Sequence, residues 1–216
     1  GCGFRPAGRG LGSLARLARP GNLSVEAFLV STGIVAIAEI GDKTQLLALL
    51  LAAKFRRPLP IIAGIFIATI ANHAGAAVIG SWVASLIGGD AMRWLLAAGF
   101  AAMGVWALIP DKVGDDEEPK APRLGVLGAT VVSFFLLEMG DKTQVATIAL
   151  AARYAEWWVV TIGTTLGMMI ANVPAVLAGQ AATKMVPLRL VHAAAALAFF
   201  VLAAVLALDG IPHLLG

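Results

Sequence analysis

Two nearly identical charged heptapeptides, residues 39–45 and 138–144, lie inside long apolar runs of this 216-residue chain. They read Glu-Ile-Gly-Asp-Lys-Thr-Gln and Glu-Met-Gly-Asp-Lys-Thr-Gln, and each carries three charged side chains. A charge at the centre of a bilayer costs roughly 2.5–3.5 kcal/mol on insertion scales, so six cost on the order of 15–20 kcal/mol before any pairing. A chain that buries this charge twice with one spacing is expected to use both copies together, as an ion site.

The composition indicates a polytopic membrane protein with one compact transmembrane domain. Hydrophobic residues make up 59% of the chain and charged residues 13%, whereas a soluble domain is about half apolar and a quarter charged. The net charge of +3 does not indicate a nucleic-acid partner, because four arginines are concentrated before residue 20. The single cysteine, Cys2, excludes an internal disulfide and a thiolate cluster.

Six apolar stretches reach the roughly 20 residues that a membrane-spanning helix needs. The first and fourth do so only if the heptapeptides are counted inside them. The stretches are residues 25–53, 59–87, 91–109, 124–152, 157–183 and 190–208. We therefore predict an all-α polytopic membrane protein with six transmembrane helices, surrounded by lipid.

The two halves of the chain are repeats, because Glu39 matches Glu138 at an offset of 99 residues and Asn72 matches Asn172 after one insertion. Each half holds three spans, an odd number, so the halves enter the membrane in opposite senses. Such inverted repeats are typical of secondary transporters, whose substrate site lies near mid-membrane. The predicted division is a basic tail (1–24), a first repeat (25–109), an acidic loop (110–123), a second repeat (124–208) and a short C-terminal tail (209–216).

Two segments of this division have further expected properties. Lysine and arginine concentrate in the loops after the first, third and fifth spans, which places the acidic loop in the cytoplasm by the positive-inside rule. The Gly-rich, arginine-bearing segment 1–24 has the composition of a transit peptide, a misplaced translation start or a disordered tail.

Within a helical heptapeptide, Glu39 and Asp42 would share one face, and Lys43 would lie four residues after Glu39, at pairing distance. Gly41 would allow another helix to approach closely. If the two copies face each other, four carboxylates and two lysines leave two negative charges. One divalent cation or two protons would neutralise them, and the two compete because carboxylates bind metal only when deprotonated. This balance suits an exchanger.

The donors available are oxygen atoms of carboxylates, of the Gln45 and Gln144 amides and of the Thr44 and Thr143 hydroxyls. Such a set suits Ca²⁺ or Mn²⁺ better than Zn²⁺ or Cu²⁺. Asn72 and Asn172 would either line the site or bridge helices. His73 is expected to be a satisfied buried histidine, since no second nitrogen or sulfur donor accompanies it.

At these motifs the chain resembles the Gdt-type cation/proton exchangers, whose signature is two copies of Glu-apolar-Gly-Asp-Lys/Arg-Thr/Ser in a duplicated set of three membrane helices. Both copies fit, and the resemblance covers residues 25–208. It implies an exchanger of Mn²⁺, Ca²⁺ or both for protons, in a bacterial inner membrane or an organellar one. The ion would be the transported substrate, not a cofactor.

The resemblance also implies roles for the motif residues. The expected metal ligands are Glu39, Asp42, Glu138 and Asp141. The second-tier candidates are Thr44, Thr143, Gln45 and Gln144. The lysines, Lys43 and Lys142, are expected to tune the charge of the site.

Other functions fit parts of the pattern. An exporter of small organic cations or a passive cation channel would also use buried acids, and two structural ion pairs would place charge in the membrane without transport. An intramembrane aspartyl protease built on Asp42 and Asp141 is a remote enzymatic alternative, because glutamate stands where such proteases carry glycine. The leading prediction is a transporter rather than an enzyme, and its assembly as a homo-oligomer is left open.

Overall fold

The computed structural model describes residues 20–87, 89–109, 125–154, 156–178 and 188–214, and these residues form eight α-helices. The helices are α1 (Pro20–Glu39), α2 (Lys43–Phe55), α3 (Pro58–Leu86), α4 (Gly89–Ala107), α5 (Gly125–Glu138), α6 (Lys142–Tyr154), α7 (Trp157–Ala178) and α8 (Leu188–Leu214). The predicted all-α class is confirmed. The acidic loop 110–123 and residues 1–19 of the predicted tail lie outside the described residues.

Both heptapeptides interrupt a helix, which the sequence analysis did not predict. Helix α1 ends at Glu39 and α2 begins at Lys43, with an angle of 68° between them. The break follows from Gly41 and Gly140, whose φ angles of 83° and 78° lie in the left-handed region that glycine adopts without strain. The prediction that Glu39 and Asp42 share a helical face is therefore wrong, because the two residues flank a turn.

Among the described residues, three helices are long and apolar enough to cross a membrane, over Pro58–Leu86, Trp157–Leu177 and Arg189–Leu208. The bent pair α1–α2 qualifies as a fourth span if it is counted as one, and α5 is a shorter apolar helix. These features fit an integral membrane protein.

Glycines allow close packing in two equivalent helix pairs, α1 with α7 and α3 with α5. A Cβ atom added at Gly167 would lie 2.6 Å from the Thr32 carbonyl oxygen, and one at Gly163 would lie 2.9 Å from the Phe28 carbonyl oxygen. Gly163 and Gly167 are therefore points of close contact between α7 and α1. Small residues permit this approach, which membrane helices need because lipid gives them no hydrophobic reason to associate.

Helices α4 and α8 form a third pair, in which the rings of Phe100 and Phe199 stack with centroids 6.4 Å apart. The pair packs against α1 and α6. Between the described residues it makes at most slight contact with α2 and α5, which are the counterparts of α6 and α1 in the opposite repeats. The α4–α8 pair therefore covers α1 and α6 but leaves their counterparts, α5 and α2, largely uncovered.

The close packing at Gly167 predicts that Gly167→Ala destabilises the protein by about 1–3 kcal/mol, because the new methyl group would meet backbone atoms of α1 that cannot move aside. Gly75→Ala is the matched control, since a Cβ atom there has nothing within 4 Å. It should be neutral or stabilising, because alanine is the better helix former. Unfolding in detergent micelles measures both, and equal stabilities would contradict the packing argument.

Candidate cation site

Three carboxylates converge where the two broken helices meet. One oxygen each from Glu39, Glu138 and Asp141 lies within 4.8 Å of the other two, and all three side chains are buried. Glu39 is the last residue of α1, Glu138 is the last residue of α5, and Asp141 directly precedes α6. The breaks therefore bring acids from both repeats together at helix ends.

Each carboxylate of this cluster keeps one oxygen that accepts no hydrogen bond from the described residues. These atoms are Glu39 Oε1, Glu138 Oε1 and Asp141 Oδ2. A buried polar atom without a partner is costly, and a buried charge more so. The three oxygens are therefore available to a cation or to protons.

Two threonines hold the other oxygens of the glutamates. The Thr143 hydroxyl donates to Glu138 Oε2 at 3.0 Å, and the Thr44 hydroxyl donates to Glu39 Oε2. Each threonine thus fixes one carboxylate oxygen and leaves the second to the cluster. The structure places Thr44 and Thr143 as orienting groups beside the carboxylates.

The two glutamines brace the helix breaks. Gln45 Oε1 accepts the Gly41 N–H at 2.9 Å, and Gln144 Oε1 accepts the Gly140 N–H at 2.6 Å. Their amide groups then reach the opposite repeat, where Gln45 donates to the Ala171 carbonyl at 2.9 Å and Gln144 donates to Asn72 Oδ1. Both candidates therefore satisfy backbone groups that the breaks expose.

The two asparagines differ in their partners. Asn72 accepts from Gln144 and directs its own amide to the Phe135 carbonyl at 3.4 Å, so it bridges α3, α5 and α6. Asn172 is buried and donates within α7, to the Met168 carbonyl at 3.1 Å. Of the two readings that the sequence left open, helix bridging describes Asn72.

The lysines reach across the repeats. Lys43 Nζ lies 3.0 Å from Asp141 Oδ1, so the spacing-based pairing of Lys43 with Glu39 within one helix is not what the structure shows. The reason is the break, which separates the two residues onto different helices. Lys142 donates to the Ile109 carbonyl at 2.8 Å, just beyond the end of α4. Three ionised carboxylates with the Lys43 ammonium leave two negative charges.

The fourth predicted ligand, Asp42, is buried but is not among the three converging groups. It lines a separate small cavity against α4 and α8, together with Lys142, Met103, His192 and Phe199. Of the four acids that were expected to share one pocket, three converge and Asp42 does not join them. The repeats are equivalent in sequence, but they do not place their aspartates equivalently.

The residue that sequence reasoning undervalued is His73 on α3. It is fully buried as expected, and its Nε2 lies 3.9 Å from Glu138 Oε2. It is not satisfied, because neither ring nitrogen has a hydrogen-bond partner among the described residues. The sequence feature that could have identified His73 is its position directly after Asn72. The helix that carries both residues, α3, packs against α5.

The ion pair between Lys43 and Asp141 should appear in a double-mutant cycle of Lys43→Met and Asp141→Asn. We expect a coupling energy of about 1–3 kcal/mol in reversible unfolding in mixed micelles, since contacting groups of opposite charge couple by amounts of this order. The same cycle with Lys43→Met and Glu39→Gln is the control. A larger coupling to Glu39 than to Asp141 would contradict the pairing across repeats.

Comparison with known proteins identifies the family to which the chain is similar. The model of the family described as "Divalent cation/proton antiporter GDT1" matches residues 27–115 and 126–213. A Vibrio cholerae protein named "Putative manganese exporter" is 50% identical over 183 residues, which cover 84% of this chain and 89% of that protein. No solved structure matches.

More distant relatives agree with these matches. A GDT1-like protein of Synechocystis is 29% identical over 174 residues, covering 71% of this chain and 83% of that protein. The Saccharomyces cerevisiae protein named "Divalent cation/proton antiporter GDT1" is 24% identical over 231 residues, covering 83% and 82%. From the family match over both halves, the chain belongs to the GDT1 family of divalent cation/proton antiporters.

Proposed function

We propose that this protein exports Mn²⁺ from the cell in exchange for protons, with Ca²⁺ as a second candidate cargo. The observation that carries the proposal is the buried cluster of Glu39, Glu138 and Asp141, whose excess of two negative charges matches one divalent cation. The name of the Vibrio cholerae relative favours manganese. A bacterial inner membrane is the corresponding location.

Exchange follows from the chemistry of the three free oxygens. Carboxylate oxygen is a ligand type that Mn²⁺ and Ca²⁺ accept, and a metal displaces protons from such groups when it binds. With one cation or with two protons bound, the cluster and Lys43 carry no net charge. Only these neutral states can move through a low-dielectric region at modest cost, so the two substrates are transported alternately.

The proposed architecture is six transmembrane spans arranged as two inverted repeats of three. In this proposal the bent pair α1–α2 is one span, α5 and α6 together form the equivalent span, and the cation site lies at the two breaks. The equivalent bonds of Thr44 with Thr143 and of Gln45 with Gln144 support this arrangement, as does the family match to each half of the chain. In this arrangement α1 and α6 lie in one half of the membrane, and α2 and α5 in the other.

The unequal covering of these halves supports alternating access. Helices α4 and α8 close the site on the side of α1 and α6, where Lys142 bonds to the end of α4. On the other side, Gly140 and Met139 are exposed. Movement of the α4–α8 pair toward α2 and α5 would expose the site to the opposite side of the membrane.

The antiport proposal predicts that Mn²⁺ movement across proteoliposomes of this protein drives protons in the opposite direction. Entry of Mn²⁺ should make the lumen more alkaline, and exit of Mn²⁺ should make it more acidic. Glu138→Gln should reduce Mn²⁺-driven proton flux at least about 100-fold, because a neutral amide can neither exchange a proton nor supply the charge. Asp90→Asn, at an exposed ion pair with Arg93 outside the site, is the control and should retain the flux. A pH-sensitive dye and a Mn²⁺-quenched fluorophore report the two fluxes.

The same preparation tests the linkage between metal and protons. Protonated carboxylates do not bind metal, so the apparent affinity for Mn²⁺ should fall as the pH is lowered and rise as it is raised. Mn²⁺ flux that is independent of an imposed pH gradient would instead support a passive channel. Competition of Mn²⁺ transport by excess lysine or arginine would support an exporter of organic cations.

Alternating access predicts a change in the distance between α4 and α5. Spin labels at Val105 and Leu127, both exposed, would be placed in a Cys2→Ser background. Between low pH and saturating Mn²⁺ the distance should change by on the order of 2–5 Å, as in other helix movements. Labels at Leu29 and Ile162, on the closely packed α1 and α7, should not move. A fixed distance in the first pair would contradict the mobile role of α4.

A further inference from the structure

His73 is a buried titratable side chain beside the cluster to which the proposed exchange assigns no part. It lies on α3, is fully buried, and has no hydrogen-bond partner for either ring nitrogen among the described residues. Its Nε2 lies 3.9 Å from Glu138 Oε2, which is too long for a hydrogen bond. An imidazole in this position has a lone pair directed at no other described group, beside a carboxylate of the cation site.

We propose that His73 is a nitrogen ligand of the transported cation and that it selects transition-metal dications over Ca²⁺ and Mg²⁺. This inference rests on the proposed function, and it names the specificity of that same site. The ion would bind Glu138 on one side and the His73 ring on the other, beside the three carboxylates that converge within 4.8 Å, a group that does not itself include His73.

The separation of the two atoms suits a shared ion. Metal–nitrogen and metal–oxygen bonds of about 2.0–2.3 Å allow two ligands of one ion to lie up to roughly 4.5 Å apart. The Nε2–Oε2 distance of 3.9 Å falls within that limit. Glu138 also belongs to the group of three converging carboxylates, so it connects the histidine with the oxygen donors.

The donor type determines the expected selectivity. Ca²⁺ and Mg²⁺ take oxygen ligands, so an imidazole fixed in their shell replaces an oxygen by a poorer donor. First-row transition ions accept nitrogen, with affinities at mixed nitrogen and oxygen sites that rise from Mn²⁺ through Fe²⁺ to Co²⁺. A site of carboxylates alone would not separate Mn²⁺ from Ca²⁺ in this way.

The chain breaks its own repeat symmetry at this position. Asn72 and Asn172 are equivalent, but the residue after Asn172 is Val173. Only one repeat therefore supplies an imidazole, and the ion is held nearer the Glu138 side than the Glu39 side. The equivalent position in the second repeat holds a valine, Val173. His73→Val therefore introduces a side chain that already occurs at this place in the repeat.

The direct test is the coordination of Mn²⁺ in the purified full-length protein, measured by pulsed electron paramagnetic resonance. Nitrogen modulation from a bound imidazole should be present and should change when histidine alone is labelled with ¹⁵N. The chain has three histidines, so the signal should persist in the His192→Gln, His213→Gln double variant. It should disappear in His73→Val. Persistence of the signal in His73→Val, or its absence from the wild type, would overturn the proposal.

The second test compares affinities. In His73→Val and His73→Asn the Kd for Mn²⁺ should rise by about 10-fold or more, while the Kd for Ca²⁺ should change by much less. His192→Gln, at the separate cavity beside Asp42, is the control and should keep the wild-type Mn²⁺/Ca²⁺ ratio. Equal weakening for both ions would show that His73 only supports the fold, and would overturn the ligand role.

These measurements separate the two proposals. If the wild type binds Mn²⁺ without any imidazole signal and still exchanges it for protons, the role of His73 fails and the antiport stands. If the protein binds Mn²⁺ through His73 but moves no protons, the antiport fails while the ligand assignment stands. The His192→Gln, His213→Gln double variant keeps His73 as the single histidine of the sequence, so labelling in that variant decides the question even if a His73 variant does not fold.

Discussion

The burial of three carboxylates at one place is the constraint on which the rest of this structure depends. Glu39, Glu138 and Asp141 lie out of contact with water, where an unpaired charge is far more costly than at a surface. The protein meets part of that cost with the Thr44 and Thr143 hydroxyls and the Lys43 ammonium. It leaves the rest unmet, in contrast to a structural ion pair, whose charges are matched. Under the proposed function, the unmet part would give the site its affinity for cations.

The helix breaks serve the same requirement. A glycine with left-handed backbone angles at each break ends α1 and α5 inside the apolar stretch. The last residues of these helices, Glu39 and Glu138, then lie near each other. The turn exposes backbone groups that lipid cannot satisfy, and Gln45 and Gln144 bond to the glycine N–H groups. A lysine in the first turn of α2 or α6 is unfavourable for the helix dipole. Lys43 and Lys142 are therefore placed for their partners across the protein, not for helix stability.

The sequence predicted the helical class and singled out the motif acids, three of which converge in the fold, because both depend on residue type or spacing. It did not predict the breaks. Glycine in an apolar run fits a close helix approach as well as a left-handed turn, and only the φ angle distinguishes them. The wrong pairing of Lys43 followed from assuming an intact helix. The separation of Asp42 and the position of His73 depend on how α3, α4 and α8 pack, and spacing carries no information about that.

The two repeats carry the same motif but use it differently, and this difference bears on mechanism. Lys43 pairs with an acid of the cluster, whereas its equivalent, Lys142, bonds to a carbonyl at the end of α4 beside Asp42. Equivalent sequences in an inverted arrangement can exchange these roles without new chemistry, since each set of partners already exists in the fold. An exchange of partners would carry α4 and α8 from one half of the protein toward the other. Under the proposed alternating access, the opposite conformation would carry the same asymmetry with the roles of the two repeats exchanged.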